Sequence, residues 1–376
     1  MIFLPKIIYC LFYTTYYIMN QKKINDLSER IFNETVSAMS CLTLYLGHRL
    51  NLFQSIFEAG PITSIELSKN TGYSERYLRE WLECMAVLDY IEYDPTNSRF
   101  SISPEHAEVL CNRDSSAYTI PFVHAIPSLS SVVSEKLVHA FRTGQGVSYE
   151  DYGVDLIEAQ GEGNRPMFIH NTANWISSMP DIEAKLKSKE GEGARIADIG
   201  CGDGWASIAL AKSFPLIKID AIDPDIASIE NARKNVNDHN LSDRISLYSQ
   251  PIEELTSLNK GTYDLVIAFE CIHDMPYPVK ALRKMRDMLS PNGCVLVADV
   301  KVGEKLEEKN DFVGKFYYNF SVLLCLPQSL VYPNSKGTGA AMAPSTFYGY
   351  AKEAGFSKIE ILSVDHFLWN FYRLTP

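Results

Sequence analysis

The chain has 376 residues, of which 46% are hydrophobic and 22% are charged, and its formal net charge at pH 7 is −11. This length and composition are typical of a globular protein that is long enough for two domains. The acidic balance argues against a protein that binds nucleic acid through general attraction to the phosphate backbone.

The eight cysteines are spread along the chain, and no two of them form a Cys-x-x-Cys pair. That spacing argues against a cysteine metal site or a redox pair. We therefore expect reduced thiols, no metal and a cytoplasmic protein.

Residues 1–20 are more apolar and aromatic than the sequence that follows. The uncharged run from residue 7 to residue 20 is shorter than the ~20 residues that a membrane-spanning helix needs, and no small-residue cleavage site follows it. We expect an N-terminal extension without stable membrane insertion. A signal anchor and translation from Met19 are the alternatives.

Residues 21–115 predict a helical domain that ends in a small hairpin. An apolar stripe between Ile24 and Leu46 has no other cover in this short region and predicts a homodimer contact. Thr63 and Glu66 have the spacing of a capping box. Two short strand patterns flank a DPTNS turn at residues 94–98, as in a hairpin. Together these features are typical of a winged helix-turn-helix domain.

The charge of this domain argues against DNA as its partner. Residues 60–110 contain four basic and nine acidic residues. The helix that would enter the DNA groove carries Glu75, Glu80 and Glu83, which repel phosphate groups. We therefore predict a scaffold and no nucleic-acid partner.

Residues 116–190 predict a mostly helical linker that covers a substrate. Aromatic residues such as Phe122 and Trp175, together with Tyr317 further along the chain, either line a pocket or belong to the core.

The segment ARIADIGCGDGWAS, residues 194–207, joins an apolar run to a helix-like run through three glycines. This order is that of the first βα unit of a nucleotide-binding sheet. The dinucleotide fingerprint needs a further glycine where Trp205 or Ser207 stands, so the spacing favours a nucleoside-type ligand over NAD or FAD. The glycines are Gly200, Gly202 and Gly204.

The remaining sequence alternates apolar strand patterns with amphipathic helical patterns, which predicts a doubly wound α/β sheet over residues 191–376. Asp223 ends the second strand pattern, 19 residues after Gly204, where an acid accepts hydrogen bonds from ribose hydroxyls. The predicted strands cover 194–199, 218–225, 262–275 and 290–300, and the predicted helices cover 205–213, 226–239 and 279–289.

The motifs DIGCGDG, DAIDPD, YDLVIAFECIHDM and LSPNGCVLVADV resemble the successive motifs of class I S-adenosylmethionine (SAM)-dependent methyltransferases. With the winged-helix pattern before them, the chain is similar to small-molecule O-methyltransferases. The resemblance implies a Rossmann-like sheet, SAM as cofactor and a small-molecule acceptor, with a hydroxyl as the expected acceptor group. It also implies an N-terminal domain that dimerises and closes over the substrate.

The resemblance further implies a cofactor site at the first three motifs. The first motif holds the methionine part of the cofactor, and Asp223 binds the ribose. Gln250 lies where the family contacts the adenine, but the acidic residue that the family usually has at this place is absent here. The residues so implied are Asp198, Gly200, Cys201, Gly202, Gly204, Asp223, Pro224, Gln250, Pro251, Ile252 and Phe269.

His273 and Asp274 are the candidate catalytic residues. Methyl transfer from a sulfonium is a displacement, so the protein must align the acceptor and, for a hydroxyl, remove a proton. An imidazole at the end of a strand suits that proton transfer, and the methyltransferases that the chain resembles use a His-Asp pair here. Alternatively, Asp274 caps a helix near Pro276 and His273 contacts cofactor or backbone.

Two functions from other classes stay open. A dinucleotide oxidoreductase is disfavoured by Trp205, and a catalytically silent binding or regulatory protein would keep the same fold.

Overall fold

The structure is a computed structural model that describes residues 20–188, 193–255, 261–309 and 311–376. The chain divides into two compact units, Met1–Ser101 and Ile102–Pro376. Residues 1–19 of the predicted extension lie outside the described residues. The predicted domain boundaries at residues 115 and 190 stay predictions. No described helix is both long and apolar enough to cross a bilayer.

The first unit is helical and ends in an antiparallel hairpin whose register pairs Tyr93 with Phe100. The predicted capping box is present, because Thr63 and Glu66 each accept the other's backbone N–H. Arg99 donates two hydrogen bonds of 2.9 Å to the Glu66 carboxylate, which ties the hairpin to the capped helix. The elements are α1 (Gln21–Arg49), α2 (Leu52–Ala59), α3 (Ser64–Thr71), α4 (Glu75–Val87), β1 (Glu92–Asp94) and β2 (Arg99–Ser101).

The second unit begins with helices, as the sequence predicts for residues 116–190. Its longest helix, α8, runs for 24 residues despite an internal proline at position 166. The elements are α5 (Pro104–Leu110), a 3₁₀ turn (Ile120–His124), α6 (Ala125–Val132), a π turn (Val133–Leu137), α7 (Val138–Thr143), a 3₁₀ turn (Tyr149–Tyr152), α8 (Val154–Ser177) and α9 (Pro180–Lys187).

A seven-stranded sheet forms the core of this unit, in the order β5-β4-β3-β6-β7-β9-β8. β9 runs antiparallel to both its neighbours, and the other pairs are parallel. The strands are β3 (Arg195–Ile199), β4 (Lys218–Asp223), β5 (Ile245–Ser249), β6 (Tyr263–Phe269), β7 (Leu289–Val300), β8 (Lys358–Leu362) and β9 (Trp369–Thr375).

The helices that alternate with these strands complete the doubly wound fold, which confirms the predicted fold class. The chain continues from β3 to β4 on one side and returns to β6 on the other, so the carboxyl ends of β3 and β6 flank a crevice where such sheets bind ligands. The helices are α10 (Trp205–Ser213), α11 (Ile226–Asp238), α12 (Pro278–Met288), α13 (Phe312–Phe320), α14 (Leu326–Ser329) and α15 (Pro344–Glu353), with 3₁₀ turns at Ile252–Glu254 and Leu306–Glu308 and a π turn at Ser321–Cys325.

Two predicted strands differ from the observed ones. The pattern at 262–275 is extended only as far as Phe269, because Glu270 adopts φ +53° and ends the strand. The turn predicted near Pro291 is a bulge within β7, where Asn292 has φ +62° and the register with β6 shifts.

A glycine of α8 allows close contact with the loop after β3. A Cβ atom on Gly161 would lie 1.9 Å from Asp203 Oδ2. The Asp203 side chain is buried, and its Oδ1 accepts a hydrogen bond of 3.3 Å from Asn231 on α11. The aspartate therefore has little freedom to move away.

We predict that Gly161→Ala lowers the free energy of unfolding by about 1–2 kcal/mol. Overpacking should outweigh the gain in helix propensity of about 1 kcal/mol. Gly349→Ala on α15 is the matched control, because no atom lies within 4 Å of the added Cβ, and it should be neutral or stabilising. Thermal or denaturant unfolding measures both. Adding Asp203→Ala to Gly161→Ala should restore stability, and a fully stable Gly161→Ala protein would contradict the tight contact.

Candidate active site

A glycine loop, residues 200–204, connects β3 to α10. Its three glycines have φ values of +70°, +50° and +80°, which side chains with a Cβ adopt only with strain. A Cβ on Gly200 would lie 2.8 Å from the Cys271 side chain, whereas no atom lies within 4 Å of a Cβ on Gly202. The middle of the loop therefore faces open space that a ligand can approach.

Two predicted cofactor residues, Asp198 and Asp223, lie against this loop. Asp198 is buried in β3 and accepts a hydrogen bond of 2.7 Å from Ser207 on α10. Asp223 accepts hydrogen bonds of 2.9 Å from the N–H groups of Gly202 and Asp225. Burial raises the pKa of Asp198 to about 7 and that of Asp223 to about 6. The Asp223 carboxylate keeps acceptor capacity for ligand hydroxyls.

The other predicted cofactor residues lie in the segments next to these two. Cys201 is half-buried in the loop and Pro224 is exposed after β4. Gln250, Pro251 and Ile252 follow β5. Because β3, β4 and β5 are parallel neighbours, these segments share one edge of the sheet.

Phe269 lies at the same edge, but its ring belongs to a buried aromatic cluster. It stacks on Phe168 at 6.1 Å and packs edge-on against Trp175 at 5.5 Å. Trp175 and Tyr317, which the sequence placed either in a pocket or in the core, are 4% and 2% exposed and belong to the core.

His273 is buried between two carboxylates. Its Nδ1 lies 2.6 Å from Asp299 Oδ1, and its backbone N–H donates to Asp299 Oδ2 at 3.3 Å. Its Nε2 lies 3.3 Å from Asp274 Oδ1. Burial alone would lower the pKa of His273, but the negative charges of Asp274 and Asp299 outweigh burial and raise this pKa well above its usual value.

Asp274 does not cap a helix, so that part of the alternative is wrong, whereas a contact of His273 with the cofactor stays a prediction. The next helix, α12, begins at Pro278 and has Tyr277 as its N-cap residue. Asp274 instead turns toward His273, and its buried Oδ1 accepts no hydrogen bond from the described residues.

Sequence reasoning missed three polar residues at this edge. Asp299 interrupts the apolar run of β7, which is a signal that the sequence offers. Glu270 accepts hydrogen bonds from Tyr317 at 3.1 Å and from Asn164 at 3.4 Å, and burial raises its pKa to about 7. The Tyr149 hydroxyl donates to Gln160 on α8, and burial, followed by the charges of Asp225, Asp223 and Asp274, raises its pKa.

Among the described residues there are two clusters of three side chains, and within each cluster the possible ligand atoms lie within 4.8 Å of one another, close enough to hold a metal ion. The sequence predicts no metal, and this stays a prediction. The groups are His273, Asp274 and Cys325, and His124, Asp155 and Glu158.

Comparison with known proteins finds two domain families in the chain. A methyltransferase-domain model matches residues 190–337, and a model described as the Rv2258c-like winged HTH domain matches residues 38–112. The malonyl-[acyl-carrier protein] O-methyltransferase of Halalkalibacterium halodurans is 32% identical over 31% of this chain and 42% of its own length. The chain spans less than half the length of the curated relatives it matches.

Solved structures share the fold over nearly the whole chain. Human N-acetylserotonin methyltransferase in complex with SAM has a TM-score of 0.68 at 14% identity and covers 95% of this chain and 99% of its own. The mitomycin 7-O-methyltransferase MmcR has a TM-score of 0.63 at 20% identity, and the match covers 94% of this chain and 100% of the MmcR chain. Identities this low show the fold alone.

The open space beside Gly202 and the remaining acceptor capacity of Asp223 fit a ligand that carries a ribose. The domain match confirms the predicted methyltransferase class, and the complex of N-acetylserotonin methyltransferase shows that a protein of this fold binds SAM. The chain therefore carries a methyltransferase domain that follows a winged helix-turn-helix domain in the sequence.

Proposed function

We propose that this chain transfers a methyl group from SAM to a hydroxyl of a small molecule. The observation that carries the proposal is the His273–Asp299 pair, which lies at the same edge of the sheet as the glycine loop and Asp223. SAM supplies a methyl group on a sulfonium with a good leaving group. The chain must then align the acceptor and take one proton.

In this proposal each polar residue at the edge has a separate task. Asp223 binds the ribose while it holds the loop through Gly202. Asp299 accepts the Nδ1–H of His273, which leaves Nε2 to take the hydroxyl proton as the new O–C bond forms. The Asp274 carboxylate, 3.3 Å from Nε2, stabilises the imidazolium that results.

A catalytically silent SAM-binding or regulatory protein is the main alternative, and a dinucleotide oxidoreductase is less favoured. Calorimetry with SAM, S-adenosylhomocysteine (SAH) and NAD distinguishes the cofactors. A screen of labelled SAM against metabolite extracts then tests for transfer. Binding of SAM without labelling of any metabolite would favour the silent protein.

We also propose a cytoplasmic homodimer. No disulfide joins any two of the seven described cysteines, which suits a reducing compartment. For the dimer, α1 exposes a long row of apolar side chains that are 41–71% exposed: Ile24, Leu27, Ile31, Phe32, Met39, Leu42 and Leu46.

The first prediction from the proposed function concerns the cofactor. We predict that the protein binds SAH and that Asp223→Ala weakens binding roughly ten- to hundredfold, because a charged acceptor of hydroxyl groups contributes about 1.5–3 kcal/mol. Asp225→Ala removes a neighbouring carboxylate that caps α11 and should change SAH affinity only a few-fold. Calorimetry measures both variants. Unchanged affinity in a folded Asp223→Ala protein would contradict the ribose assignment.

The second prediction concerns proton transfer. We predict that His273→Ala lowers turnover by about 10²- to 10⁴-fold and leaves SAH affinity nearly intact. His139→Ala, at an exposed position on α7, is the control and should retain full turnover.

The pH profile tests the same assignment. Because the flanking carboxylates raise the pKa of His273 above that of an ordinary imidazole, the wild-type rate should rise with pH over a range above the usual titration range of histidine. If His273→Ala turns over within a few-fold of wild type, or loses SAH binding instead, His273 is not the proton acceptor.

The third prediction concerns assembly. We predict that Leu27→Glu combined with Ile31→Glu converts a dimer to a monomer in sedimentation, because it places charges in the apolar row. Asn33→Glu combined with Ser37→Glu adds the same charge on the opposite side of α1 and should leave the dimer intact. A monomeric wild type, or tight duplex DNA binding with a steep salt dependence, would count against the proposal.

A further inference from the structure

Glu270 is an acidic residue that the proposed mechanism does not use. It follows the last residue of β6, and its φ of +53° lies in the left-handed region that favours glycine. A side chain is held in that region only with strain, and residues held in this way cluster at functional sites.

The carboxyl group of Glu270 accepts hydrogen bonds from two helices. One of them, α8, precedes the matched methyltransferase domain, and the other, α13, belongs to it. Asn164 on α8 donates to Oε2 at 3.4 Å, and Tyr317 on α13 donates to Oε1 at 3.1 Å. Trp369 on β9 in turn donates to the Tyr317 hydroxyl at 2.9 Å. These contacts hold the carboxyl group in one place.

The partners of Glu270 leave part of its hydrogen-bonding capacity available. The donors around it, Asn164, Tyr317 and Trp369, are all neutral, and the contact with Asn164 is long. Among the described residues no lysine or arginine forms an ion pair with Glu270. A carboxylate offers about four acceptor positions, so Glu270 can accept further hydrogen bonds from a ligand.

Glu270 also lies beside the groups that carry the proposed reaction. The next residue, Cys271, contacts Gly200 of the glycine loop, and its thiol donates to the carbonyl of Ile199 at 3.3 Å. Glu270 precedes His273 by three residues in the turn that follows β6, and its carboxyl group is bound from α8 and α13.

We propose that Glu270 binds a second hydrogen-bond donor of the methyl acceptor, a hydroxyl or an amine, and so orients the hydroxyl that His273 deprotonates. The inference rests on the proposed function and narrows its substrate class to acceptors with two donor groups. In this role Glu270 contacts the substrate and exchanges no proton with it.

The test uses the full-length protein, labelled SAM and four simple phenols. Catechol and resorcinol carry a second hydroxyl, whereas phenol and 2-methoxyphenol do not. We expect kcat/KM for at least one dihydroxy compound to exceed that for phenol by about tenfold or more, the factor that one hydrogen bond to a charged group supplies.

The variants separate substrate binding from other roles. Glu270→Ala should remove the preference for the dihydroxy compound, mainly through a higher KM, with little change for phenol. Glu270→Gln, whose amide oxygen still accepts a hydrogen bond, should retain part of the preference. Glu353→Gln, an exposed acid at the end of α15, is the control and should behave as wild type.

Several outcomes would overturn the assignment. Equal use of phenol and the dihydroxy compounds would do so, and so would a wild type that binds SAH but methylates none of the four. Loss of SAH affinity in Glu270→Gln would make Glu270 a cofactor residue instead. A wild type that binds neither SAM nor SAH refutes the proposed function itself, and the inference with it.

Discussion

The geometry of the site depends on the two hydrogen bonds that the Asp223 carboxylate accepts. One comes from Gly202 in the glycine loop and the other from Asp225, which caps α11. Because Asp223 ends β4, these bonds fix the loop after β3 to the end of the neighbouring strand. The loop in turn leaves no room for a side chain at Gly200 beside Cys271. The segments that follow β3, β4 and β6 are therefore held in fixed positions relative to one another.

This edge of the sheet also concentrates acidic side chains with little exposure. Burial raises the pKa of Asp198 and of Asp203 to about 7, since removing a carboxylate from water disfavours its charged form. Under the proposed function, SAM brings a positive sulfonium to this acidic edge, and the SAH that remains after transfer lacks that charge. The same carboxylates then attract the substrate form of the cofactor more than the product form.

The sequence predicts the sheet well where strands are short apolar runs between glycine turns and helices. The helix at Trp205–Ser213 matches its predicted bounds, and β3 begins one residue later than predicted. The glycine loop and Asp223 are adjacent because the topology places β3 beside β4, and local patterns are sufficient to predict that order. β5, β8 and β9 were missed. The antiparallel pairing of β9 with β7 and of β8 with β9 is a long-range feature that no local pattern encodes.

The helix α8 contributes several residues to the site that the sequence pattern does not predict. Its pattern predicts only a linker, yet residues at successive turns of one face reach the site: Gln160 accepts from Tyr149, Gly161 admits Asp203, Asn164 donates to Glu270, and Phe168 stacks on Phe269. These positions are polar, small or aromatic without a common apolar period, so the helical pattern does not single them out. The matched methyltransferase domain begins at residue 190, after α8 has ended. Under the proposed function, several side chains beside the transferred methyl group therefore belong to α8, which lies outside the matched domain, and the match to that domain does not predict which acceptor they recognise.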